Sequence, residues 1–70
     1  MTNESPALTT RMKQVLDGIA QGRNNEHIAA DLRISRKTVE KHRATLYTAF
    51  KVDNAVSLVM AALRAKVIAL

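Results

Sequence analysis

Apolar residues recur at three- and four-residue intervals along this chain, and nowhere do apolar and polar residues alternate cleanly between turn residues. The pattern carries no strand signal and leaves helices as the way to bury apolar surface. Seventy residues build one small domain with one core. With no cysteine, neither a disulfide framework nor a thiolate metal site can reinforce that core. Aliphatic side chains must supply it. A hydrophobic content of 47%, with only 3% aromatic residues, suits a compact helical bundle.

Four helices follow from the order of the residues, at about 9–21, 25–32, 36–50 and 54–66. Residues 1–7 are polar, hold the only proline and read as a flexible N-terminal tail to a domain spanning 8–70. In the first helix, Thr9 or Thr10 can cap the start, and Leu8, Met12, Val15, Leu16 and Ile19 form an inward stripe. Gly18 costs that helix roughly 1 kcal/mol relative to alanine, which suggests a close approach by another helix. Gly22 is placed to end it with a left-handed C-cap. Asn24 caps the short second helix, whose inner face is Ile28, Ala29 and Leu32, and Glu26 near its start suits the helix dipole. Ile34 lies under a tight turn and Ser35 caps the third helix. A helix, a short turn with an apolar residue, and a second helix form the helix-turn-helix pattern.

The third helix is the centre of the chain. At 100° per residue, Val39, Leu46 and Phe50 make a narrow apolar seam, while Lys37, Lys41, Ala44 and Thr48 fall opposite. Thr38, Glu40 and Thr45 lie at the edges of that outer face. Cations near the start and small residues further along suit a helix laid in the major groove of DNA. There, bulk would clash and hydroxyls can reach phosphates or base edges. An ordinary solvated charged face is the competing reading. The charge distribution weighs against it. Residues 33–51 hold six cations against the single acid Glu40, a balance equal to the +5 of the whole chain. A cationic patch so concentrated points to a polyanion, most often nucleic acid. An acidic membrane surface would want bulky apolar residues beside the cations, where this helix has Ala44, Thr45 and Thr48.

Lys51 to Asn54 break the third helix, and Asp53 or Asn54 caps the fourth. That helix carries two apolar stripes. Val56, Val59, Met60, Leu63 and Val67 fit a core-facing side, and Leu58, Ala61, Ala62, Ala65 and Ala69 fit a contact with a second copy of the chain. Small alanines would let two such helices approach closely. Residues 1–7 lack the charged start and apolar run of a signal peptide, and the last apolar run is interrupted by Arg64 and Lys66, so the expected location is cytoplasmic, without membrane contact.

Enzyme chemistry finds no support. His27 and His42 lack a third metal ligand, no Gly-rich phosphate loop is present, and no carboxylate pair has acid–base spacing. Ser35 is explained as a cap. Neither a cofactor nor a metal is expected.

Several stretches then resemble the LuxR/GerE-type helix-turn-helix, the DNA-binding output domain of many bacterial transcription regulators. They are Leu8-Thr9-x-Arg11, Val15-Leu16, Gly22-x-Asn24-Asn25-x-x-Ile28-Ala29, Leu32-x-Ile34-Ser35 and Lys37-Thr38-Val39-x-x-His42-Arg43. The resemblance covers about residues 8–65. It implies an all-α, four-helix domain whose third helix enters the major groove and whose fourth dimerises. By position it implies phosphate contacts from Asn25, Thr38 and His42, and base contacts from Glu40, Lys41 and Ala44. Arg36, Lys37 and Thr45 complete the candidate surface. The chain departs from the family pattern at several places. Met12 replaces a glutamate that would complete a capping box with Thr9. Glu26-His27 stands where Lys-Glu is common. Ala49-Phe50-Lys51 replaces Lys-Leu-Gly, which asks Lys51 for a positive φ at a cost of about 1 kcal/mol. Ala55 replaces an arginine.

Some roles have two readings. Lys37 and Lys41, one turn apart, would meet phosphate or guanine. Glu40 would accept from cytosine N4, or pair with Lys37 or Arg43. His42 would bond backbone at the core edge, touch phosphate, or both. Arg43 would run along the apolar side and pair with Asp17 or Asp31, and Tyr47 would be a core-edge ring. The sequence thus predicts a DNA-binding regulator acting as a homodimer on a roughly palindromic site, recruiting or blocking RNA polymerase. It would be a stand-alone regulator or the output half of a larger one. The alternative is a helical adapter that grips a regulator protein or RNA polymerase through the fourth helix.

Overall fold

A computed structural model describes residues 8–69, so the tail expected at 1–7 lies outside the described residues. Four helices follow in order: α1 (Thr10–Ala20), α2 (Asn25–Leu32), α3 (Arg36–Phe50) and α4 (Ala55–Arg64). Each start is held by the side chain just before it. Thr9 Oγ1 accepts from the Met12 amide at 3.1 Å, Asn24 Oδ1 from His27 at 2.8 Å, Ser35 Oγ from Thr38 at 3.0 Å and Asn54 Oδ1 from Ser57 at 2.8 Å. Each bond satisfies an amide that has no partner within its own helix.

The four ends share one device as well. A residue in the left-handed region follows each helix: Gly22 at φ 81°, Arg33 at 57°, Lys51 at 58° and Lys66 at 60°. The next amide then reaches back to a carbonyl five residues earlier, as in Arg23 to Gly18, Ile34 to Ala29, Val52 to Tyr47 and Val67 to Ala62. This is the Schellman arrangement. Glycine adopts the left-handed region freely, whereas each of the three basic residues is strained there by about 1 kcal/mol. Their cations partly offset this beside the negative end of a helix dipole. The stop at Lys66 is also why α4 ends at Arg64, short of the position expected from the sequence.

Packing centres on α3, which touches all three other helices. The core consists of Val15, Leu16 and Ile19 from α1, Ile28 and Ala29 from α2, Val39 and Leu46 from α3, and Leu58 and Ala62 from α4. Gly18 is buried against α2. A Cβ built there would come within 2.7 Å of Ile28 Cγ1, so the missing side chain is what admits α2 this closely. Arg11 adds a second tie between the two helices by donating to the Leu32 carbonyl at 3.3 Å, one of the orphan acceptors at the end of α2.

The rotation of α4 differs from the expectation. Leu58 and Ala62, assigned to a contact with a second copy, are fully buried in the chain's own core. Val56 and Met60, assigned inward, are 74% and 47% exposed. A helix apolar on both sides does not declare its inner face. The neighbouring seams on α1 and α3 decide it, and the large Leu58 fills the space beside the small Ala62. Ala61 and Ala65 are half-buried and Ala69 is exposed. Among the described residues, no single helix is long and apolar enough to cross a membrane.

Candidate nucleic-acid interface

The seam of Val39 and Leu46 fixes α3 against the bundle, and that fixes what faces outward. Lys37, Glu40, Lys41, Ala44, Thr45 and Thr48 are all exposed, as the 100° projection predicts. Ser35, Lys37, Thr38, Glu40 and Lys41 surround a shallow concavity over the first half of the helix. Ala44, Thr45, Thr48 and Ala49 line a second one beyond it. The surface is therefore cationic at its start and small and uncharged towards its end. Neither Lys37 nor Lys41 takes part in any of the ion pairs among the described residues, so both charges are available to a ligand.

The hydroxyls are partly committed. Thr38 lies 2.8 Å from Ser35, hydroxyl to hydroxyl, at the cap of α3. Thr45 donates to the Lys41 carbonyl at 3.1 Å within its own helix. His42 is half-buried at the rim. Asn25, in the first turn of α2, is also half-buried, and its Oδ1 is a buried acceptor with no partner. It sits beside Asn24, Glu26 and Arg36 around a small depression.

Two ion pairs differ from the expected ones. Arg43 reaches neither Asp17 nor Asp31. It donates to the Tyr47 hydroxyl at 3.0 Å, with its guanidinium carbon 5.8 Å from the ring centroid. Asp31 belongs to Arg23, at 2.5 Å, with His27 Nε2 3.6 Å away. Glu40 pairs with neither Lys37 nor Arg43. Its partner is Arg36, Nε to Oε2 at 3.3 Å across one turn, while Arg36 Nη1 also lies 3.5 Å from Oε2 of Glu26 on α2. The Arg36–Glu40 spacing was legible as an i, i+4 pair. Glu26 arrives from another helix, and no local pattern announces it. The exposed apolar pair Val56 and Met60 carries no local signal either, because in sequence both fit the core-facing side of α4.

Among the described residues, no group of three or more His, Cys, Asp and Glu side chains could hold a metal ion. The exposed, unpaired cations at the start of α3 suit an anionic partner.

Comparison with known proteins agrees. Residues 6–62 match the family model for bacterial regulatory proteins of the luxR family. The chain is 42% identical over 57 residues to the uncharacterized response regulatory protein YgeK of Escherichia coli K12, covering 81% of this chain and 39% of that one. It is 47% identical over 51 residues to the transcriptional regulatory protein UhpA of the same organism, covering 73% of this chain and 26% of that one. Among solved structures, the Vibrio cholerae VqmA dimer, described as a LuxR-type receptor, superposes with a TM-score of 0.85 at 31% identity. That match covers 96% of this chain and 30% of the other. The chain thus spans less than half the length of these relatives. Four capped helices, a cationic outward face on α3 and a family match over most of the sequence lead to one conclusion: this chain belongs to the luxR family of bacterial regulatory proteins, as a DNA-binding transcriptional-regulator domain and not an enzyme.

Proposed function

We propose that the chain binds a roughly palindromic DNA site as a homodimer, with α3 of each copy in the major groove. The observation that carries this reading is the outward face of α3, where two unpaired lysines precede a stretch of small residues that a groove wall can approach. Lys41 and Glu40 face base edges, with Ala44 giving clearance. Lys37, Thr38, His42 and Asn25 hold the backbone, and Thr45 lies at the margin. The amides at the start of α2 support this, since a helix N-terminus attracts phosphate. Bound in this way, the domain would recruit or block RNA polymerase.

The pairing surface moves to the other side of α4. Val56 and Met60 are the exposed large apolar side chains there, flanked by Ala55 and Val59 and by Ile19 of α1. Apolar surface of this kind gains by being covered. The description of the matched Vibrio cholerae protein as a dimer supports a two-copy assembly.

Selection of bound duplexes from a random pool, followed by titration of the best site at two salt concentrations, tests the proposal. An enriched inverted repeat whose affinity falls steeply with salt is expected. Enrichment of single, unrepeated half-sites would remove the homodimer. Recovery of no sequence, together with salt-insensitive binding to a protein partner, would replace the whole reading with the adapter.

A further inference from the structure

Arg36 begins α3 at a place where an unpaired arginine would meet a phosphate, yet its guanidinium lies between two carboxylates. Its Nε is 3.3 Å from Glu40 on the next turn and its Nη1 is 3.5 Å from Glu26 on α2. We propose that Arg36 is a positioning residue rather than a phosphate contact. Anchored from α2 by Glu26, it holds the Glu40 carboxylate on the outer face of α3, where that carboxylate accepts a hydrogen bond from the exocyclic amino group of a cytosine. The inference rests on the reading of α3 as the groove helix and adds a specificity determinant to it.

The charge count argues against a phosphate contact. The one guanidinium already faces two carboxylates, so Arg36 has no uncompensated positive charge to offer a phosphate. Stability does not account for the cluster. Arg36, Glu26 and Glu40 are 61%, 74% and 50% exposed, and pairs this open to water contribute little. The arrangement gains importance when DNA displaces that water, because charge interactions strengthen as the local dielectric falls. An isolated Glu40 would then be repelled by the phosphates on either side. With Arg36 beside it, that repulsion is partly cancelled and the side chain is held in one direction. The contact uses Oε2, which leaves Oε1 to accept from a base, and cytosine N4 is the major-groove donor suited to a carboxylate. Spanning two carboxylates on two helices needs the planar fork of an arginine, which a lysine ammonium does not provide.

The test measures affinity of the full chain across a range of salt, on its selected duplex and on duplexes changed at each position. Arg36→Gln should leave the slope of log affinity against log salt nearly unchanged. It should lower the preference for cytosine at one position of the site about tenfold. Arg36→Lys should lose the same preference while keeping its charge, and Glu26→Gln should lose part of it. Lys37→Ala, as the phosphate reference, should reduce the slope by about 0.9. All the altered cluster side chains are exposed, so helicity by circular dichroism should stay constant across the set. A slope that falls by about one in Arg36→Gln and returns in Arg36→Lys, with base preference untouched, makes Arg36 a phosphate contact and overturns the inference alone. Wild-type chain that binds no duplex overturns the groove reading of α3, and this inference with it.

Discussion

Helices α3 and α4 are anchored in the same way and present opposite chemistries. Each sends two fully buried side chains into the common core, Val39 and Leu46 from α3 and Leu58 and Ala62 from α4. Outward, α3 shows lysines, a carboxylate and small residues, all at ease in water, whereas α4 shows Val56 and Met60. A polar face can wait for a ligand without cost, and its recognition is switched on by charge. An apolar face gains only when something covers it. On the proposed reading the bundle would separate two tasks on adjacent helices, one tuned by salt and one largely indifferent to it. The prediction with the largest effect tests the anchors themselves. Leu58→Glu puts a carboxylate where the fold leaves no water and no partner. At a cost of several kcal/mol, comparable to the whole stability of a small domain, it should abolish the cooperative thermal transition. A variant that stayed folded, with only its DNA affinity lowered, would return Leu58 to the subunit contact expected from the sequence.

The same pair of helices shows what the sequence could and could not convey. On α3 the apolar positions form one narrow seam, so a single rotation satisfies it, and the outward residues Lys37, Lys41, Ala44 and Thr48 were legible at once. The caps at Asn24 and Ser35 were legible for a similar reason, since each acts on the amide three residues on, and the structure chooses Thr9 over Thr10 and Asn54 over Asp53. On α4 both sides are apolar and the rotation is decided by the shapes of α1 and α3, which no local pattern records. The partners of charged side chains divide along the same line. An Arg36–Glu40 pair follows from helical spacing, but the hold of Glu26 on Arg36 depends on how α2 meets α3. Arg43 found Tyr47 one turn along its own helix instead of the distant Asp17 or Asp31. The close approach behind Gly18 could be suspected from its cost within a helix, and its cause, Ile28, required the fold.

The next effect lies on the polar face. Lys41→Ala should weaken binding to the selected site by about 1–3 kcal/mol and relax the preference at one base pair, if its ammonium meets a base edge. An equal loss on every duplex would assign it to phosphate and leave Glu40 as the cationic face's one reader beside Ala44. Helicity should be unaffected either way, since Lys41 is exposed and takes no part in the core. On the apolar face, Met60→Glu should keep the fold and lower affinity for an inverted repeat by about 1–2 kcal/mol, in the range of a truncated interface anchor. A single half-site should bind it as well as the wild type. Equal losses on both duplexes would mean that the α4 patch does not join two copies.

The smallest effect sits at Lys51, the joint between the two helices. Its φ of 58° ends α3 and lets Val52 donate back to Tyr47, which sets the direction in which α4 leaves. Lysine adopts that conformation under strain of about 1 kcal/mol, whereas glycine adopts it freely but loses more chain entropy on folding. Lys51→Gly should therefore raise stability by roughly 0.5 kcal/mol in denaturant unfolding. The same change removes a cation next to α3, the proposed groove helix. If Lys51 touches phosphate, the salt slope of DNA binding should drop by about 0.9 even as the domain becomes more stable. Opposite signs in the two measurements would show that the joint holds a strained lysine for its charge. A more stable variant with an unchanged slope would assign the strain to no DNA contact and leave the capping of α3 as the residue's whole role.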